Sequence, residues 1–404
     1  MERLLLRISM PVERDTYIMA VIMTQVKNAY LCGNATITIK GNAQVKGGIY
    51  GGGQGNYPRR FLESVHGLTG ESVVKLFVQG NAVIFGNIYG GGENAEMEGN
   101  AYVSLSEDCN IKGNLYGGGK NGIVMGKTAV EIIGGIVEGS VYGGALGITG
   151  QRLVYGGSTI NMSAGWVKGN LYGGSELSDD GPKEGKPKDL IFVNLVGGTV
   201  SGNVFGGGYR GTVNGSTHLH IGEGASGECK YYQTHGGEKT ELQPSILKVD
   251  GSVYAGGDYG GGDKIDYTTI TVKGTSHVYI DGTGYNTGDA DLMPEMRIAG
   301  GVFGSGASCD AGSTRLVTLK NYGTPVLDDS GLATGVTRSL EAIQRADRVV
   351  LYNSHIQLSG KSDVANPNQT TLYSLNRIGD HGARDRCSGR RKQPGASGGK
   401  YTYS

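Results

Sequence analysis

The sequence predicts an all-β chain, a parallel β-solenoid of three short strands per coil with Gly and Gly-Asn corners and inserted loops. Three observations carry that expectation. First, an aliphatic residue followed by Tyr or Phe and then a small residue recurs eight times, at Ile49-Tyr50, Ile88-Tyr89, Leu115-Tyr116, Val141-Tyr142, Leu171-Tyr172, Val204-Phe205, Val253-Tyr254 and Val302-Phe303. A unit recurring at this scale has one face it buries only when a neighbour stacks on it. Second, Gly makes up 75 of 404 residues, against a usual share of roughly 7%. Gly costs about 1 kcal/mol per helical position relative to Ala, which works against long helices. Third, runs rich in Val, Ile, Thr and Tyr recur between the glycines, which argues against disorder.

The anchors are separated by 39, 27, 26, 30, 33, 49 and 49 residues. The shortest intervals show the bare unit and the longer ones the same unit with loops inserted. The cleanest repeat is 128–144. Thr128-Ala129-Val130-Glu131-Ile132-Ile133 alternates as a strand, Gly134-Gly135 is a corner, Ile136-Val137-Glu138 is a second strand, and Val141-Tyr142 is a third. Gly143, which ends it, is expected at a corner with positive φ, where Val would cost over about 1 kcal/mol. Gly-Asn pairs such as Gly86-Asn87, Gly113-Asn114, Gly169-Asn170 and Gly202-Asn203 suit sharp turns. Stacked Asn can also form amide ladders.

Four organisational segments follow. Residues 1–34 read as an N-terminal cap or a misplaced start, 35–314 as Gly-rich repeats, 315–380 as an irregular continuation, and 381–404 as a disordered basic tail. Residues 57–70, 178–189, 229–244 and 281–296 lack periodicity and read as surface excursions, where specificity usually sits. Residues 337–346 fit either a helical turn or a polar edge of the array. Tyr17–Met23 is an apolar run too short to span a bilayer, and no clean cleavage site follows it.

Charge is balanced, with 37 basic and 37 acidic residues, so no basic stripe points to nucleic acid. The five Cys are single, without Cys-x-x-Cys, which supports neither a zinc site nor a disulfide framework. Tyr outnumbers Phe by 23 to 6 and tolerates half-wet positions better.

Catalytic chemistry has weak support. Parallel β-helices include pectin-cleaving enzymes, whose motifs are Asn-Thr-Asp, Asp-Asp, His-Gly and Arg-Ile-Lys. Here Asp179-Asp180 and His235-Gly236 lie in aperiodic segments and no Asn-Thr-Asp precedes them. Glycoside hydrolysis needs paired carboxylates across one bond, and no such pair is evident. Gly256–Asp263 with Asp266 is similar to calcium-binding Gly-Asp repeats but out of register. Asp258, Asp263 and Asp266 are therefore weak metal candidates, and neither metal nor cofactor is expected. His218 and His220 share a strand face, which can begin a metal site, but no third ligand is visible. No Gly-x-Gly is followed by a helix, so dinucleotide binding is not expected.

Alternation puts each anchor ring on the face opposite its aliphatic neighbour. The rings Tyr50, Tyr89, Tyr116, Tyr142, Tyr172, Phe205, Tyr254 and Phe303 then form either a structural ladder, the favoured reading, or a sugar-stacking platform. For the platform, Tyr116, Tyr142 and Tyr172 are the weak ligand candidates.

The Gly-Asn-aliphatic-Tyr-Gly-Gly-Gly pattern resembles large glycine-rich β-helix surface proteins of gut anaerobic bacteria. Ser339–Asp347 followed by Asn353–Gly360 is similar to a segment after such repeats in those proteins. The resemblance covers roughly 35–380. It implies an extracellular, adhesin-like, non-enzymatic role as stalk or adhesive module, with a host or bacterial surface glycan or protein as partner. Those relatives are generally longer, and the basic tail and missing export signal suggest a fragment. A carbohydrate-active hydrolase or lyase is the alternative. End-to-end self-association through an open terminal strand is a further expectation.

Overall fold

A computed structural model describes side chains over residues 34–54, 73–182, 188–222, 245–259, 271–285, 295–307 and 314–322. Outside these it describes only the backbone of short strands between 18 and 373. Among the described residues all regular structure is β, in long parallel sheets consistent with a parallel β-solenoid.

The larger sheet has 18 strands. One ladder in it runs through Ala35–Ile39, Val73–Val78, Asn100–Leu105, Thr128–Val137, Ser158–Val167, Asp189–Leu195, Ser216–Gly222, Thr275–Asp281, Thr314–Lys320 and Arg348–Tyr352, all parallel. A second ladder stacks Val45, Ile84, Ile111, Val137, Val167, Val200, Val249 and Ile298 in register. The nine-stranded sheet is the ladder of aliphatic–aromatic anchors, extended by Ile343–Gln344. That strand lies inside residues 337–346, so this part continues the array and no helical turn is described there.

β-Branched residues dominate the inward positions because they fit a pleated surface packed on both sides. Leu76, Val103, Val130, Ile160, Val193, Leu219, Val278 and Val317 form one such column, each at most 1% exposed. One continuous hydrophobic cluster runs from Ile39 to Tyr322.

Four corners differ from expectation. Thr128–Val137 continues through Gly134-Gly135 as one strand with register shifts, and Gly135 has φ +79°. The expected corner is thus a bulge, in which Gly supplies the left-handed conformation. Gly143 has no positive φ. A Cβ there would stand 2.2 Å from the Gly173 carbonyl oxygen of the next repeat. Its requirement is close backbone approach. The same holds for Gly113 and Gly202, where a Cβ would meet the Asn87 and Asn170 Oδ1 atoms at 2.3 Å.

A further bridged position follows six of the glycine runs, through Met97, Val124 and Val154, then Asp180, Val213 and Val272, all parallel. Residues 178–180 therefore belong to the array rather than to a surface excursion. Ser178 and Asp180 are buried, at 0% and 1% exposure.

Antiparallel strands cover both ends of the first ladder, Ile18–Val21 on Ala35–Ile39 and Thr370–Tyr373 on Arg348–Tyr352. The premise of an open terminal strand is corrected for this ladder, since strand edges that would template a second chain are paired within the chain. Elsewhere, three antiparallel hairpins join Gln25–Lys27 to Tyr30–Cys32, Tyr231–Gln233 to Lys239–Glu241 and Pro325–Leu327 to Ala333–Val336. The basic tail 381–404, His235, Asp263 and Asp266 lie outside the described residues. No helix among the described residues is long and apolar enough to cross a membrane.

Candidate functional site

The eight anchor rings form one continuous stack. Successive centroids are 4.6–5.0 Å apart and successive planes within 10° of parallel. The spacing is the strand spacing of a sheet, so each ring rests on the ring of the next repeat. The aliphatic partners enter the main core and the rings form a second cluster, against which Leu146, Tyr209 and Ala307 pack. Tyr89, Tyr116, Tyr142, Tyr172 and Phe205 are buried, while Tyr50, Tyr254 and Phe303 at the ends are half-buried. Both faces of Tyr116, Tyr142 and Tyr172 are covered by neighbouring rings. The platform reading is corrected accordingly, because a sugar needs an open ring face.

The polar edge of the stack is also used. Asn87, Asn114 and Asn170 Nδ2 donate to the hydroxyls of Tyr89, Tyr116 and Tyr172 at 3.0–3.1 Å. The same amides accept, at 2.8 Å, backbone N–H bonds from Asn114, Ser140 and Asn203 of the following repeat. The Gly-Asn corners thus staple one repeat to the next and anchor the ring. The Tyr116 hydroxyl also donates to Glu176 Oε2. Burial and the Glu176 carboxylate push the Tyr116 phenol far up, and burial raises Glu176. All these groups are occupied in holding the array.

Asp179 and Asp180 are successive strand residues and turn to opposite faces. Asp180 replaces an inward Val and accepts from Ser175 N at 2.8 Å and Ser175 Oγ at 2.6 Å. Burial pushes its carboxyl up to about 7. Asp179 Oδ1 accepts from Thr212 N at 2.8 Å, and Arg152 lies 3.9 Å from its other oxygen. The two carboxylates do not converge on a common space, as a glycosidic bond would require.

The outward faces are different. Phe192, His218 and His277 lie in register on the first ladder, beside Asn194, His220 and Tyr279. Phe192 stacks on His218 at 5.1 Å. His218 Nε2 meets Asp189 Oδ1 at 2.7 Å, His220 Nδ1 meets Asn194 Oδ1 at 3.2 Å, and His277 Nε2 meets Thr318 Oγ1 at 3.0 Å. The sequence pointed to His218 and His220 but missed His277. The signal was available in the matched strands Thr217-His218-Leu219-His220-Ile221 and Ser276-His277-Val278-Tyr279-Ile280. On the second ladder's outward side Trp166 is 42% exposed and Phe85 44%. Lys168 Nζ lies 4.9 Å from the Trp166 ring centre and Lys46 Nζ 3.9 Å from that of Phe85. Trp166 Nε1 donates to Ser201 Oγ at 2.8 Å.

Of the metal candidates, Asp258 is described, and its backbone N–H donates to Gly208 O at 2.9 Å in the column after the glycines. Among the described residues no three His, Cys, Asp or Glu side chains stand already gathered around one ion position. Cys109 is buried, and burial pushes its thiol up to about 11, so it packs as a small apolar residue.

No family model matches the chain, and neither a curated protein nor a solved structure matches it.

Proposed function

We propose that this chain is a non-enzymatic, extracellular β-solenoid, a stalk or adhesive module of a bacterial surface protein. In this reading each repeat is one coil of three short strands plus the bridged arm that returns to the next coil. The partner is a glycan or protein on a host or neighbouring cell.

One observation carries the proposal. The residues that recur from repeat to repeat are occupied in joining one repeat to the next, through rings, amides and backbone. What varies stands outward on flat sheet faces. That division suits a spacer that displays surface and is poorly suited to catalysis, which needs a few convergent groups in a concave site. Trp166 and Phe85, exposed beside lysines, offer a place for a sugar ring or an acidic partner. The resemblance to surface proteins of gut anaerobes points the same way.

The test is binding of the purified chain to an array of host and bacterial glycans. Selective binding that weakens in Trp166→Ala with an unchanged melting temperature supports an adhesive module. Silence on the array and on intact cells favours a stalk that binds nothing. Release of reducing ends or unsaturated uronates from a polysaccharide panel, lost in Asp179→Asn, would replace the proposal with the enzyme alternative.

A further inference from the structure

The chain has seven His, and three of them meet on one face of the sheet, His220 buried and His218 and His277 half-buried. His218 and His220 are two apart on Ser216–Gly222, and His277 and Tyr279 face them from Thr275–Asp281. The four side chains occupy the corners of one cell of the sheet surface. Ring centroids are 6.2 Å apart for His218–His220 and 6.1 Å for each of His218–His277, His277–Tyr279 and His220–Tyr279. From this geometry we propose that His218, His220 and His277 form a binding site for a divalent first-row transition ion of the Zn2+ or Cu2+ type, with Tyr279 closing its fourth side.

Two features beyond proximity support the site. The first is tethering. Each imidazole uses one ring nitrogen toward a group outside the cell: His218 Nε2 toward Asp189, His220 Nδ1 toward Asn194 and His277 Nε2 toward Thr318. Metal-binding His residues are oriented in this way, by a carboxylate, carbonyl or other polar group on the second nitrogen. The second is reach. A metal–nitrogen bond of ~2.0–2.1 Å places a ring centre roughly 3.2 Å from the ion. The middle of a square cell of this size lies about 4.3 Å from each corner, so each ring must move inward by about 1 Å. Three imidazoles with an oxygen neighbour suit Zn2+ in a four-coordinate site or Cu2+ in a tetragonal one. The ion would clip two neighbouring repeats across the long insertion that separates them in sequence.

The experiment titrates the full chain, purified without a His tag and stripped with chelator, with Zn2+ alone and separately with Cu2+ alone. Calorimetry gives stoichiometry, and electron paramagnetic resonance of the Cu2+ form gives the nitrogen count. The expected result is one equivalent bound, a Cu2+ signal with three nitrogen ligands, and a melting temperature that rises with Zn2+ and returns with chelator. His277→Ala should weaken binding by more than the roughly 10–100-fold that loss of an outer partner costs, and abolish the melting shift. Asp189→Asn should weaken binding within that range. His218→Gln, checked by circular dichroism, serves if His277→Ala fails to fold. Absence of stoichiometric binding, or binding unchanged in both His277→Ala and His218→Gln, would overturn the site and place any ion on the other four His.

Discussion

The aromatic ladder and the outward face of the first ladder are built on the same parallel pairing, yet they obey opposite rules. Down the ring column the residue is Tyr or Phe in all eight repeats from Tyr50 to Phe303. Across the outward face the matched positions read Lys75, Tyr102, Ala129, Thr159, Phe192, His218, His277 and Leu316. In the first region each side chain has the equivalent side chain as its neighbour above and below, and a misfit disturbs two interfaces. In the second, each side chain is half-buried and meets unlike residues above and below. Repetition therefore marks what the array needs to stand, and variation marks where it can take on a function.

The largest expected effect comes from the backbone beneath the rings. In the glycines that follow the rings at Gly51, Gly90, Gly117, Gly143, Gly173 and Gly206, an added Cβ would lie 2.1–2.4 Å from a carbonyl oxygen of the next repeat. Gly143→Val should destabilise by at least about 3 kcal/mol, since overpacking a closed interface cannot relax on both sides. Ala255 stands at the equivalent place in its own repeat, so a methyl is accommodated there and the branched side chain is the sharper probe. Gly150 makes the contrast. Its φ is +83° and a Cβ there meets nothing within 4 Å, so Gly150→Ala should cost only roughly 1–2 kcal/mol. Urea midpoints of the two variants separate crowding from backbone conformation. Equal costs would mean that the repeats are not held as closely as described.

The next effect exploits the one acid that replaces Val in the bridged column. Burial raises the Asp180 carboxyl from 3.8 to about 7. Between those values the folded chain keeps a proton that the unfolded chain has released, so stability falls as pH rises. The full difference amounts to about 4 kcal/mol by the linkage of 1.36 kcal/mol per pH step. Below pH 4 the contribution is complete, and above pH 7 it is gone. Asp180→Asn keeps the shape without the titration. The difference in urea stability between wild type and Asp180→Asn should therefore swing against wild type from pH 4 to pH 7.5. Parallel curves would show that Asp180 ionises freely and is not enclosed.

How far these features were legible in the sequence depends on the same division. The anchors were legible because every repeat spells them alike, and their register follows directly. The bridged position was not, because Val124, Val154, Val213 and Val272 sit singly among loop-like residues of differing length. Asp179-Asp180 read as loop for the same reason, since one paired residue per repeat has no alternation to betray it. Gly143 was read as a conformational residue because sequence cannot distinguish a positive φ from a missing space. His277 escaped notice because an insertion separates it from His218, and only the ladder brings them side by side.

The smallest expected effect tests the variable face. Thr159 is half-buried between Ala129 and Phe192 of the adjoining strands. Each of these three residue types is already accepted in that column. Thr159→Lys copies the residue that Lys75 places there three repeats earlier on the same ladder. A long side chain can lay its methylenes along the sheet and keep its charge in water. The expected change is within about 0.5 kcal/mol, against the several kcal/mol expected at Gly143. Should thermal and urea unfolding instead place Thr159→Lys beside Gly143→Val, the outward face would be packed against something as demanding as the ring column. Its variety would then need an explanation other than exposure to solvent.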